Sequence, residues 1–310
     1  MTRRSLIVQR LEVLMKYPAI GIAPLSVLIG SISYGMPGII LSIAATHGVA
    51  INHLMPIQFL FSFLLFFLFS ELTPRGAGTF PYRDKILVVF TGIPVLLITY
   101  CFYHAVLRIG VPTSTLLLMQ SSWIVPVVSA VYKKQPLSRG EWTRFATILV
   151  GVLISTGMLS GQGQFDLTGM LWGLGAALSY SVVILSSSNI ANGVRVIDKA
   201  KNLTFGAFIA SLFLFNSQVK IDPISIDALW AVANALFSSI LPIMLFGFGM
   251  PRTHSSLTGM LVAIELPAAF IFSHLFLNEH IAAEQIIGCT LIIVAIISQP
   301  IADWLNKKRN

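Results

Sequence analysis

The chain has 310 residues, of which 55% are apolar and only 10% charged, with a formal net charge of +8. Soluble proteins carry about 25% charged residues, so a globule this poor in charge could not cover its own surface. A mean hydropathy of +0.83 points instead to bilayer hydrocarbon as the solvent. Disorder, a secreted disulfide scaffold and a nucleic-acid binder are excluded, the last because the basic residues are dispersed over loops.

The N-terminal segment, residues 1–18, puts Leu6, Ile7, Leu11, Leu14 and Met15 on one helical face with Arg3, Arg4, Arg10 and Lys16 around it. This predicts either a short helix lying on the cytoplasmic membrane surface or a frayed tail. The apolar run that follows is too long for a cleaved signal peptide, and no small-residue cleavage site interrupts it.

A hydrocarbon core about 30 Å thick needs roughly 20 apolar residues per helix. Ten stretches qualify: 19–45, 54–70, 86–107, 113–132, 142–159, 169–190, 203–217, 228–248, 255–277 and 282–303, followed by a basic tail at 305–310. With the N-terminus in the cytoplasm, 18 of the 20 Lys and Arg residues fall inside, and only Arg108 and Lys220 fall outside. That asymmetry supports ten spans with both termini cytoplasmic. Cys101 and Cys289 both fall inside spans and form neither a disulfide framework nor a metal site.

The sequence repeats. Val111–Tyr132 matches Arg252–Ser273 at an offset of 141, pairing Ser114 with Ser255 and Pro126 with Pro267. Glu141 pairs with Glu284 at a slightly longer offset, and upstream Gly30–Gly35 matches Ala176–Ser181, bringing Tyr34 over Tyr180. A repeat unit of five helices, an odd number, enters the membrane upside down the second time. The expected fold is therefore all-α, with ten transmembrane helices as two inverted five-helix repeats at 19–160 and 165–304. Inverted repeats are a plan of secondary transporters, whose site lies near the midplane between the halves.

On these features the chain resembles the drug/metabolite transporter superfamily in its ten-helix EamA-type form, over about residues 19–303. The resemblance rests on the duplicated five-helix unit and on Ala105–Gly110 leading into Val111-Pro112-Thr113-Ser114. It rests also on Pro126, on Glu265-Leu266-Pro267 and on Leu277-Asn278-Glu279, which is similar to the sequence closing that family's ninth helix. A departure is Lys134-Gln135-Pro136, where many members carry an acidic residue. The resemblance implies a substrate/proton-type carrier, often an exporter of amino acids, related metabolites or toxic organics.

Of the twelve acidic residues, only Glu265 sits deep in a span. A carboxylate there must be protonated, paired or face a cavity. It reads as a proton or cation site, the alternative being a protonated Glu hydrogen-bonded to a neighbouring helix. Gln120 and Trp123 share one helix face, as a cavity wall or as interhelical glue with a packing Trp. Tyr34 and Tyr180 line a cavity or are packed tyrosines with satisfied hydroxyls. Asn234 contacts substrate or bonds helices together. Tyr100 and His104 lie four apart, with His104 near the outer helix end, where a solvated histidine is the favoured reading. Pro37, Pro126 and Pro267, with Gly30, Gly35 and Gly38, give the helices places to hinge or kink. The small stripe Gly169, Gly173, Ala177 and Ser181 reads as close helix packing.

Glu279, His280 and Glu284 form an incomplete ligand set and read as a solvated loop and helix start, so no metal is expected. No catalytic motif is present, and the chain is not expected to be an enzyme. The expectation is a multi-pass protein of the bacterial inner (plasma) membrane, monomer or homodimer. It would move a small organic solute by alternating access, with no cofactor beyond a proton gradient. An uncoupled facilitator with a structural Glu265 is the alternative, and a membrane enzyme or scaffold a remote one.

Overall fold

The computed structural model describes residues 21–73, 80–134, 139–155, 166–191, 193–216, 225–253 and 255–309. The N-terminal segment and the loop between the proposed halves fall outside these residues. So do several of the basic loop positions, including Arg75 and Lys220. Among the described residues there is helix and no strand.

The helices are α1 (Ile22–Tyr34), α2 (Pro37–Thr46), α3 (Ile51–Leu72), α4 (Tyr82–Leu118), α5 (Ser121–Lys133), α6 (Arg139–Ser155) and α7 (Leu167–Asn189). They continue with α8 (Val196–Phe215), α9 (Ile226–Ala235), α10 (Leu241–Gly249), α11 (Ser255–Val262), α12 (Glu265–Leu277) and α13 (Ala283–Arg309). A π-helical segment, Leu236–Ile240, joins α9 to α10 without interruption. Five stretches are long and apolar enough to cross a membrane: Ile22–Thr46, Ile51–Leu72, Tyr82–Leu118, Leu167–Ser186 and Ile226–Arg252. Shorter apolar helices cover Ser121–Tyr132, Glu265–Leu277 and Ala283–Ser298.

The predicted spans coincide with helical regions, with further interruptions inside some of them. The first span is two helices that part at Gly35 and Met36, and Pro37 opens the second at N1, where its missing N–H costs no bond. The third and fourth spans part as expected within 108–112: the helical run of α4 is broken at Gly110 (φ 72°, ψ 167°), a conformation that glycine adopts without strain, and resumes to Leu118. The fourth span then breaks at Met119 and Gln120, and Pro126 sits inside α5. The ninth breaks at Ala263 and Ile264, so Pro267 lies in the first turn of α12, where proline is tolerated.

Helix starts recur at a nearly constant spacing. The starts Leu167, Val196, Ile226, Glu265 and Ala283 follow Ile22, Ile51, Tyr82, Ser121 and Arg139 by 144 or 145 residues. Two 13-residue helices, α5 and α12, end on left-handed residues with nearly equal angles, Lys134 (φ 53°, ψ 35°) and Asn278 (φ 53°, ψ 27°). This spacing is three residues longer than the offset of 141 between the side-chain motifs, and it sets the start of α12 at Glu265 opposite the start of α5 at Ser121.

Packing crosses between the halves throughout. α4 lies against α7 and α8, α3 against α8, α6 against α13 and α10 against α1. Small residues set the closest approaches, as expected where lipid gives no hydrophobic drive to helix association. A Cβ at Gly206 would lie 1.8 Å from the Val89 carbonyl oxygen, and one at Gly92 2.3 Å from the Ala207 nitrogen. Gly173 admits Leu117 and Gly169 admits Ile109, which supports the packing role of that stripe. Many buried hydroxyls bond back into their own helix, as Ser31 does to Val27, Thr91 to Leu87 and Ser181 to Ala177, so they need no outside partner.

Polar contacts fasten both ends of the bundle. At the end rich in basic residues, Arg195 donates to Asp198 (2.7 Å) and to the Thr73 carbonyl (3.2 Å), while the Ser70 hydroxyl donates to Asp198 (2.6 Å). At the opposite end His53 pairs with Asp227 (2.9 Å) and Arg108 with Asp166 (3.2 Å). The Asp166 carboxylate caps α7 by accepting from the Gly169 N–H (3.1 Å), and this bond with Arg108 holds that carboxyl below the usual carboxylate range. The sign follows from the depression: the cap is fully present at neutral pH and is lost only as pH falls through the lowered value. Glu279 also belongs here. Its carboxylate accepts from the Val111 N–H (3.4 Å), at the start of the helical turn after Gly110, and from the Ser273 hydroxyl. It is a bridge between the halves rather than the solvated loop residue expected from sequence.

The close approach at Gly206 gives a test. Gly206→Ala should lower unfolding stability by about 1–3 kcal/mol, the range for overpacking a tight contact. Gly175→Ala, whose Cβ would meet nothing nearer than the Cys101 sulfur at 3.4 Å, should be tolerated. Denaturant melts in detergent micelles would check both.

Candidate functional site

Glu265 is the first residue of α12 and is 6% exposed. The chain reaches it through the break at Ala263 and Ile264, whose backbone is closed by tight turns from Ile264 to Leu261 and from Leu266 to Ala263. Its carboxyl has no hydrogen-bond or ion-pair partner among the described residues, in contrast to every other feature of that break. This disfavours the reading of a Glu bonded to a neighbouring helix.

Tyr34 and Tyr180 are titratable neighbours of Glu265, close enough to interact electrostatically with it and with each other. Gly35 explains the approach of Tyr34. A Cβ there would fall 2.9 Å from the Ala269 nitrogen and 3.1 Å from the Ala268 carbonyl carbon, so only glycine lets the end of α1 lie on the backbone of α12 just past Glu265. Both tyrosines are half-buried although they lie deep in the bundle, so they retain accessible surface in its interior. Two phenols and one carboxyl thus converge from α1, α7 and α12.

The other expected site residues lie apart from this group. Gln120 is 2% exposed; its amide donates to the Leu116 carbonyl (3.2 Å) and accepts from the Trp123 indole (2.8 Å). With Ser122, whose hydroxyl donates to Met119, it closes the backbone of the α4/α5 break. Trp123 lies tilted against Phe145 (ring centroids 4.5 Å apart) and lines a small crevice with Glu141 and Arg144. The Gln120 bonds are local to the break rather than across helices. Asn234 is fully buried and donates to Gln58 (2.7 Å), which donates to Ser238 (3.1 Å) across the α3/α9 interface. It bonds helices together. Gln58 was not singled out from sequence, although a lone amide in the apolar run of α3 was a usable signal.

Tyr100 and His104 sit in an aromatic cluster with Trp172, which stacks on the His104 ring at 5.0 Å. The His104 Nε2 is buried without a hydrogen-bond partner, so the expected solvated helix-end histidine is corrected. Trp172, on α7, covers the ring and shields it from solvent. This cluster packs α4 against α7, and nothing connects it to Glu265.

A cavity of about 440 Å³ opens between α4, α7, α8 and α10. Its walls are mainly apolar, with Val88, Leu203, Ile243 and Phe246 prominent, and Lys199 lies toward the end rich in basic residues. The size falls in the range of small-molecule sites. Sequence reasoning did not find this cavity, because its walls come from four helices and carry no motif. Phe246 links it to the polar group, since the same ring stands 5.7 Å from the ring of Tyr34.

The amide chain gives a second test. Asn234→Ala should cost about 1–3 kcal/mol by leaving the Gln58 side-chain carbonyl oxygen without its donor in a buried interface. Asn234→Asp should not restore stability, because a carboxylate cannot donate to Gln58. Thermal melts in detergent micelles would read both.

Comparison with known proteins supports this architecture. One solved structure, described only as the crystal structure of a protein, superposes with a TM-score of 0.62 at 16% identity, covering 89% of this chain and 97% of that one. At that identity the likeness speaks for the fold alone. No curated protein matches the chain. The sequence profile of the EamA-like transporter family matches residues 167–298, which span α7 to most of α13. That stretch, with Tyr180, Phe246 and Glu265 in it, is similar to the EamA-like transporter family.

Proposed function

We propose that this protein is a proton-coupled secondary transporter that moves a small organic solute across a bacterial cytoplasmic membrane by alternating access. The observation that carries the reading is Glu265. It is a buried, unpaired carboxyl in an apolar helix, facing two tyrosines beside a cavity of about 440 Å³. An intramembrane ionisable group held without a partner is costly, and its retention is best accounted for by ligand or proton exchange.

In this reading the chain crosses ten times, as two inverted halves of five helices with both termini cytoplasmic. The recurrence of helix starts at 144 or 145 residues supports the duplication, and the distribution of Lys and Arg supports the orientation. The apolar cavity is then the cytoplasmic approach. Solute enters past Lys199, and Glu265, Tyr34 and Tyr180 receive its polar part. Glu265 takes up a proton when the site faces one side and releases it at the other. A solute that binds only one protonation state of Glu265 is coupled to the proton gradient with no further machinery, since each ligand stabilises a different state. Exclusive binding of proton and solute gives antiport, and with an inward proton gradient the solute is exported.

Proteoliposomes holding an internal pH dye test this. Addition of solutes from a panel of amino acids, polyamines, aromatic cations and small metabolites should produce a solute-dependent pH change for at least one class. Glu265→Gln should abolish that change while keeping the fold. Labelled-solute flux with no pH change, unaltered in Glu265→Gln, would replace the coupled reading by a facilitator.

A further inference from the structure

Phe246 stands between the apolar cavity and the polar group. Its ring forms part of the cavity wall and at the same time lies 5.7 Å from Tyr34. The seat of the ring is made by an absence: at Gly30, a Cβ would lie 2.7 Å from Phe246 Cε1 and 2.9 Å from Cδ1. Any larger residue at 30 would push the ring out of its place against α1.

The helix that carries Phe246 is held on both sides of this seat. Upstream, the Ser33 hydroxyl donates to the Phe237 carbonyl (3.0 Å) within the π-helical segment. Downstream, Gly249 meets α1 so closely that a Cβ there would be 2.3 Å from the Ser26 hydroxyl. α1 and α10 are therefore pinned to each other above and below the ring. The part left to move between cavity and polar group is the ring itself, by rotation about its side-chain torsions. Such rotation needs no displacement of a helix, and a half-buried aromatic ring has room for it.

We propose that Phe246 is the gate between the cavity and the Tyr34–Tyr180–Glu265 group, and that its bulk sets the size of solute admitted. This rests on the transport reading for its purpose but not for its test. Small molecules pass when the ring rotates aside; larger ones are held in the apolar cavity. Gly30 is the positioning residue for the closed ring.

Thiol accessibility tests the gate without solute or pH gradient. The background is the full chain with Cys101→Ser and Cys289→Ser, and the reporter is Tyr180→Cys beyond the ring. Met250→Cys, at the cavity wall on the near side, is the control. In inside-out vesicles the reporter is treated with a small methanethiosulfonate and with a bulky one carrying biotin. Phe246→Ala should raise the rate of bulky modification at position 180 by about tenfold or more, and the rate of small modification much less. Phe246→Trp should slow the bulky reagent further, and neither variant should alter the rate at position 250. Equal bulky-reagent rates at position 180 in the parent and in Phe246→Ala would overturn the gate. If the rate at 250 shifts in Phe246→Ala, showing a disturbed fold, Phe246→Leu against Phe246→Trp decides by the same criterion. A failure of proton coupling in the transport assay would leave this result standing, and a failed gate would leave the coupling intact.

Discussion

Hydrocarbon offers no partner to a backbone N–H or C=O, so every interruption of a helix in this bundle has to be closed by the protein itself. The chain meets that constraint differently at each break. At Met119 and Gln120 the Gln120 amide and the Ser122 hydroxyl take the loosened carbonyls of Leu116 and Met119. In the π-helical segment the carbonyl of Phe237 is taken by Ser33 from α1. At Gly110 the Val111 N–H is met by the Glu279 carboxylate from the other half. At Ala263 and Ile264 the backbone closes on itself through tight turns, and the side chain that follows, Glu265, is left without a bond. Polar side chains at these breaks are thus divided by the backbone into those it occupies, such as Gln120 and Ser122, and those it does not, such as Glu265.

The duplicated helices make the same point by comparison. Ser121 and Glu265 open corresponding 13-residue helices, α5 and α12. The first-half break has its amide and hydroxyl turned into local bonds, whereas the second-half break presents a carboxyl to Tyr34 and Tyr180. Glu279 carries the asymmetry further. It joins the halves at the end away from the basic residues, while the corresponding first-half segment reads Lys134-Gln135-Pro136 and offers no carboxylate.

Much of the architecture was legible in the sequence because the bilayer makes apolar length a strong signal. The helical stretches, the burial of Glu265 and the close packing at Gly169 and Gly173 could all be read from residue order. The breaks could not. Pro126 and Pro267 drew attention as helix breakers, yet the break in the first half falls six residues before Pro126, because proline fits inside a helix wherever its neighbours cover the lost bond. Gln120, Trp123, Asn234 and His104 share the hydropathy profile of cavity residues. What distinguishes them is which groups lie against each one, and that depends on helix rotation, which residue order does not fix. Phe246 and Gly30 were invisible as a pair because a ring and a missing methyl on distant helices leave no motif.

The account stands on Glu265 changing its protonation state while the bundle stays folded. Infrared difference spectroscopy of the reconstituted protein across a pH titration reads this directly. A protonated-carboxyl band that titrates reversibly in the wild type, and is missing from Glu265→Gln at unchanged helical amide absorption, is the predicted result. A wild-type spectrum with no titrating carboxyl band that the Glu265→Gln substitution removes would show that this group keeps one state throughout, and the coupling assigned to it would be wrong.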